Sequence, residues 1–236
     1  MSLPDDSVKV VLLGDSGVGK SSLALRLCRN EFRPYSESTI GASFMTKTLD
    51  VLIPPAPTPT PVPVMNDDGS EAEATEQLQE EESPESEGKE KRIEFKIWDT
   101  AGQEKYASLA PMYYRGAAAA ILVYDITHRG SFLVLKQWAE EISEKGPPGI
   151  VLAVCANKSD LAEERQISLH EAKQFAEGIG ALYIETSARD DSNVLALFVE
   201  LGKRLPDATP TQTDENGGMG NVDLGQRRSR KTCCYA

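Results

Sequence analysis

The chain has 236 residues and a formal net charge of −12, enough length for one domain with additions or two small domains. Residues 54–90 hold eleven acidic side chains and one lysine, so this segment carries ten of the twelve net negative charges. The rest is near neutral, which excludes a broad basic surface for nucleic acid. Four cysteines (Cys28, Cys155, Cys233 and Cys234) make no disulfide framework and point to a reducing compartment. No stretch is long and apolar enough to span a bilayer, and the first residues lack the basic and apolar regions of a signal peptide.

In chain order, Val8–Leu13 is β-branched and apolar, as a buried strand should be. The octapeptide Gly14-Asp15-Ser16-Gly17-Val18-Gly19-Lys20-Ser21 follows, and a helical pattern runs from Ser22 to Cys28. Residues 42–53 and 92–98 read as two strands of a hairpin, the second in strict alternation. Between them, 54–90 begins as a proline run suited to polyproline II and continues as a Glu-rich stretch. Its composition predicts disorder, with transient helix at most over 71–82. A strand over 118–124 ends at Asp125, and Ser131 can cap a helix that runs to about Lys145, before the Gly146-Pro147-Pro148-Gly149 break. A strand over 150–156, a helix capped by Ser168, a strand over 181–185 and a helix over about 192–205 complete the pattern. Strand–helix alternation predicts an α/β fold, with a mostly parallel sheet and helices on its faces. Beyond Pro206 the chain is polar and glycine-rich, as a flexible tail would be.

The octapeptide fits the phosphate-binding pattern G-x-x-x-x-G-K-S/T in the strand–loop–helix context that gives the pattern meaning. Backbone N–H groups of Asp15 to Ser22 would point at a polyphosphate, and the new helix adds its positive dipole end. Lys20 can reach the terminal phosphates, and the Ser21 hydroxyl can ligate Mg²⁺. Asp99, at a strand end, suits support of that ion; Gly102 would let an N–H approach a terminal phosphate, and Gln103 could orient an attacking water. Asn157-Lys158-Ser159-Asp160 follows a strand end, where the Asp160 carboxylate can accept from both donors of guanine, a pair adenine lacks. Asn157 would hold the loop and base, the Lys158 stem would cover the purine, and Ser187-Ala188-Arg189 could offer N–H groups to the guanine carbonyl.

These segments resemble a Ras-superfamily small GTPase of the Rab type: Gly14–Ser21, Ser38-Thr39-Ile40-Gly41, Trp98–Glu104, Asn157–Asp160 and Glu185–Ala188 occur in the family's order. Residues 37–44 and 105–117 are similar to its early-endosome branch. The resemblance implies a domain over 7–206, a six-stranded P-loop GTPase fold, GTP/GDP and Mg²⁺ as ligands, and slow hydrolysis. It implies that Thr39 joins Ser21 and Asp99 around Mg²⁺, that Phe32 stacks near guanine, and that Phe44, Trp98 and Tyr113 meet effectors. The family commonly has lysine where Arg189 stands, and the insertion at 54–90 falls at a hairpin turn away from the nucleotide, as a spacer or a partner-recruiting segment. The tail, 207–236, carries Cys233 in a C-a-a-X position, while the pair Cys233-Cys234 on a Rab-like body suggests two geranylgeranyl groups. Expected partners are an exchange factor, a GTPase-activating protein, an escort protein and GDP-dissociation inhibitor, effectors, and the cytosolic face of endosomal membranes. A monomer without nucleic acid is expected. Two other classes stay open on residues alone. One is an adenine-nucleotide enzyme, which the Asn157–Asp160 segment disfavours, and the other is a nucleotide-binding scaffold acting through its insertion.

Overall fold

The computed structural model describes residues 6–35, 38–39, 41–53, 89–102 and 110–206. The apolar runs form six strands: β1 (Asp6–Leu13), β2 (Ala42–Ile53), β3 (Lys89–Thr100), β4 (Ala119–Asp125), β5 (Val151–Asn157) and β6 (Leu182–Glu185). The helices are α1 (Lys20–Arg29), α2 (Ala110–Tyr114), α3 (Arg129–Lys145), α4 (Leu169–Gly178) and α5 (Val194–Arg204), with a 3-10 segment over Ser159–Glu164.

One sheet results, in the order β2-β3-β1-β4-β5-β6. Only β2 and β3 pair antiparallel; the other four pairings are parallel. The expected α/β fold is thus observed. β4 is buried along its whole length, which explains why its sequence is an unbroken apolar run rather than an alternating one. Edge strand β2 alternates between exposed and half-buried side chains until Val51.

Helices cover both faces. On one, Leu23, Ala24 and Leu27 of α1 join Val194, Leu197, Phe198 and Leu201 of α5 over the sheet. On the other, Phe132, Leu135, Ala139 and Ile142 of α3 join Ala172 and Ala176 of α4. Aromatic pairs fasten both layers: Phe95 meets Phe198 edge-on at 5.7 Å, and Phe132 lies 4.9 Å from Tyr124.

Several boundaries differ from the sequence reading. α3 begins at Arg129, and Ser131 lies inside it instead of capping it. The cause is a tight turn upstream: Asp125 Oδ1 accepts from Thr127 N at 2.8 Å and from Thr127 Oγ1 at 2.7 Å, which starts the helix early. Ser131 Oγ instead accepts from Asp125 N at 3.0 Å and donates to His128 O at 2.7 Å. Ser168 does cap α4, accepting from Glu171 N at 3.1 Å. β3 begins at Lys89, so the strand takes in the last two residues of the segment expected as insertion. α2 and the 3-10 segment, both short, have no sequence-level signal in that reading. The remainder of the insertion, its expected helix over 71–82, and the tail beyond Pro206 lie outside the described residues.

Candidate functional site: a nucleotide cleft at the carboxyl ends of the strands

Register brings the motifs to one edge of the sheet. Leu12 pairs with Asp99, Leu13 with Leu122, and Asp125 with Asn157, so β1, β3, β4 and β5 all end there. That is where ligands bind in this architecture. A cleft of about 730 Å³ opens at this edge, a size suited to a nucleotide. The first loop, Phe32, Thr39, Gly102 and the two base-side loops line it.

The first loop is shaped by its glycines and tied down from behind. Gly19 stands at φ 101°, and a Cβ there would sit 2.3 Å from Asn157 Nδ2, so only glycine fits. Asn157 Nδ2 donates to Val18 O at 2.8 Å, while its Oδ1 accepts from Thr186 Oγ1 at 3.1 Å and from Ala188 N at 3.3 Å. The amide thereby joins three loops. Removing it would leave buried groups unpaired at a cost of about 1–3 kcal/mol each. Lys20 Nζ bridges the loop mouth, donating to Gly14 O at 2.9 Å and Asp15 O at 2.7 Å. Asp15 turns its carboxylate to Ser16 N at 2.6 Å.

At the phosphate end, Ser21 Oγ donates to Asp99 Oδ2 at 2.5 Å and lies 2.7 Å from Thr39 Oγ1. Ser43 Oγ also donates to Asp99 Oδ2, at 3.2 Å. Asp99 Oδ1 is buried and has no hydrogen-bond partner among the described residues. Three oxygen-bearing side chains of the hard-donor type thus converge beside an unpaired carboxylate oxygen, a donor set that fits Mg²⁺. Burial raises the Asp99 carboxyl, against hydrogen bonds from Ser21 and the charge of Lys20. Burial pushes Lys20 down to about 8, against the attraction of Asp99 and Asp15. A cation beside Asp99 would favour its carboxylate, and an anion beside Lys20 its ammonium. Gly102 comes so close that a Cβ would lie 2.4 Å from the Asp15 and Ser16 backbone.

At the base end, Asp160 Oδ1 accepts from Ser187 Oγ at 2.6 Å, and Arg189 Nη1 stands 3.8 Å from its other oxygen. Lys158 sits at φ 67° and its Nζ lies 2.6 Å from Asp125 Oδ2. Burial would raise Asp125, but bonds from Lys158 and Thr127 outweigh it and hold the carboxyl below the usual carboxylate range. Phe32 is half-buried against the α1–α5 core and faces the cleft.

Most of the expected site residues line the cleft; Asp15, Val18, Asp99 and Ser187 do not. The Val18 side chain is in the core and its carbonyl serves Asn157, while buried Ser187 serves Asp160. Phe44 and Trp98 are register partners, with rings edge-on at 5.6 Å, and Phe44 remains exposed. Trp98 and Tyr113 both pack, half-buried, against the α3–α4 core. Gln103, Cys233 and Cys234 lie outside the described residues. Sequence reasoning missed Asp125, Ser43, Thr186 and Arg26, whose polar atoms all brace the site. Asp125 had a signal, since it ends a strand at the same edge, and Thr186 falls inside the Glu185–Ala188 segment, where it was given no role; Ser43 and Arg26 look like ordinary strand and helix residues.

A glycine-rich first loop, hydroxyl-flanked carboxylate and half-buried base-side aspartate define a P-loop nucleotide-binding domain with switch-type contacts at the phosphate end. The profile described as "Ras family" matches residues 69–207, and one described as "Ras of Complex, Roc, domain of DAPkinase" matches residues 9–54. Among similar proteins, Ras-related protein RHN1 of Nicotiana plumbaginifolia is 42% identical over 228 residues, 97% of this chain and 94% of that protein. Ras-related protein Rab-31 of Rattus norvegicus is 42% identical over 229 residues, 96% of this chain and 97% of its own. Ras-related protein Rab-5A of Dictyostelium discoideum is 42% identical over 228 residues, covering 96% and 94%. The chain belongs to the Ras family, among the Rab GTPases. It is a GTP-binding switch that hydrolyses GTP to GDP.

Proposed function

We propose that this switch acts in vesicle and endosomal trafficking and that its working parts are the residues gathered at the cleft. The observation that carries the assignment is the Ser21 hydroxyl, held between Asp99 and Thr39 beside the unpaired Asp99 oxygen. Ser21, Thr39 and Asp99 would hold Mg²⁺, which when bound neutralises charge on the β- and γ-phosphate oxygens. Lys20 and the N–H groups of the first loop position the phosphates of GTP, and Gly102 brings its own N–H toward the terminal one. Gln103 orients the attacking water. Asp160 selects the guanine ring, Lys158 covers it from the position fixed by Asp125, and Asn157 keeps the loops in register. Loss of the terminal phosphate removes the contacts that hold Thr39 and Gly102, so their segments relax.

Phe44 and Trp98, beside the switch-bearing ends of β2 and β3, together with Tyr113 report that state to effectors. An exchange factor, an activating protein and a GDP-dissociation inhibitor drive the cycle. Prenyl groups on Cys233 and Cys234 anchor the chain to the cytosolic face of endosomal membranes; two chains near basic residues hold where one does not. No helix among the described residues is long and apolar enough to cross a membrane.

A single-turnover phosphate-release assay tests the catalytic assignment. Intrinsic hydrolysis should run on the order of 10⁻⁴ s⁻¹, as in Ras. Gln103→Leu should slow it about tenfold and leave GTP affinity intact, because the group orients water without holding the nucleotide. A wild-type rate in the variant removes Gln103 from the mechanism.

A further inference from the structure

We infer that Arg26, on α1, is a positioning residue for guanine recognition: it fixes the 188–189 peptide so that the Arg189 N–H faces the 6-oxo group of the base. This rests on the guanine-binding reading above. Arg26 belongs to the helix that opens at the first loop, yet its guanidinium reaches across to the last loop of the cleft. Its Nε donates to Ala188 O at 2.8 Å and its Nη2 to Arg189 O at 2.9 Å, two successive carbonyls taken by one planar fork. The third nitrogen, Nη1, donates to Asn30 O at 3.2 Å and Asn30 Oδ1 at 3.0 Å, so the fork is itself fixed by the cap of α1.

The consequence follows from peptide geometry. The described residues contain no cis peptide bond, and in a trans peptide the C=O and the next N–H point in opposite directions. Holding Ala188 O toward α1 therefore turns the Arg189 N–H away from α1, and both residues line the cleft. The neighbouring donors are already engaged: Ser187 N with Ser192 O at 3.0 Å, Ala188 N with Asn157 Oδ1 at 3.3 Å, and Asp190 N with Ser187 Oγ at 3.0 Å. Among the described residues the Arg189 N–H has no acceptor. Asp160, braced by Ser187 in the same loop, faces the opposite edge of the base recognition problem, the ring's donors. Arg26 thus supplies the acceptor-reading half of guanine selection through a backbone donor. This donor belongs to the backbone at 189, so arginine can stand there in place of lysine, with its own Nη1 3.8 Å from Asp160 Oδ2.

The test compares GDP with 2-aminopurine riboside diphosphate, which keeps the 2-amino group but lacks the 6-oxo acceptor and, with it, the N1–H donor; the N1–H loss is common to every protein compared, so a change of the ratio between proteins reads the 6-oxo contact. Competition binding on the full chain gives the affinity ratio for wild type, Arg26→Met and Arg26→Lys. Arg26→Met should lower the ratio roughly tenfold by weakening GDP alone, the scale of one well-aligned bond to a buried carbonyl group. Arg26→Lys, a single point donor, should fall between. An unchanged ratio overturns the inference, whether GDP binds as in wild type or both ligands weaken equally. If Arg26→Met does not fold, the lysine variant decides by the same ratio. Failure of the wild type to prefer GDP over the analogue would instead overturn the guanine-binding reading itself.

Discussion

Lys20 shows how one residue couples the site to solution conditions. Its ammonium is buried and lies at about 8, against 10.5 for a free lysine. Below pH 8 folded and unfolded chains both hold that proton. Between about 8 and 10.5 the unfolded chain holds it and the folded chain does not, so stability of the nucleotide-free fold rises with pH across this window. A polyphosphate at Nζ favours the ammonium, so binding above pH 8 takes up a proton. GDP affinity should therefore fall as pH rises above 8, approaching a limit of about tenfold per unit. Calorimetric titrations at pH 7, 8 and 9 would show it, and a flat affinity would contradict the placement of Lys20 against phosphate. At this scale the sequence was most legible where chemistry requires a short local pattern. Lys20, Ser21, Asp99 and Asp160 each stand in such a pattern; Lys20, Ser21 and Asp160 line one cleft, and Ser21 bonds Asp99. Arg26 and Thr186 act through partners distant in sequence: nothing near Arg26 marks it, and the segment around Thr186 does not say that its hydroxyl meets Asn157.

Elements were legible where hydrophobic period and punctuation agreed. β2 matches its expected span, and α3 ends at Lys145 before Gly146, as the glycine–proline cluster requires. The miss at Ser131 came from competing side-chain turns, where Asp125 and Thr127 begin the helix before the serine can. α5 owes its position to a close approach that the sequence does not announce. A Cβ on Gly202 would lie 3.1 Å from Val51 Cγ2, 3.2 Å from Ile93 Cδ1 and 3.3 Å from Phe95 Cζ. The glycine lets α5 settle directly on the β2–β3 hairpin, beside the Phe95–Phe198 ring pair. Gly202→Val would force apart a packed seam and should destabilise the fold by about 1–3 kcal/mol. Thermal denaturation reads this as a lower Tm, and an unchanged Tm would show that the seam can absorb the added volume.

For the whole molecule, the distance between insertion and cleft matters most. Residues 54–88 enter after Ile53 and return at Lys89, register partners at the far end of the hairpin from Ala42 and Thr100, which adjoin the cleft. Replacing 54–88 with Asn-Gly, a turn that matches strand twist, should leave GDP affinity within about twofold. On loop-closure entropy alone it should also raise stability by about 2 kcal/mol. A large loss of affinity would show that the segment supports the site. The central claim is that a phosphate-gripping first loop and the Asp160 carboxylate together select a guanine nucleotide. Nucleotide competition with Asp160→Asn tests it most directly. The account predicts that GDP affinity falls on the order of 100-fold while xanthosine diphosphate becomes the preferred ligand, because the donor–acceptor match at the base is inverted. Unchanged GDP affinity in that variant, with no gain for xanthosine diphosphate, would contradict it.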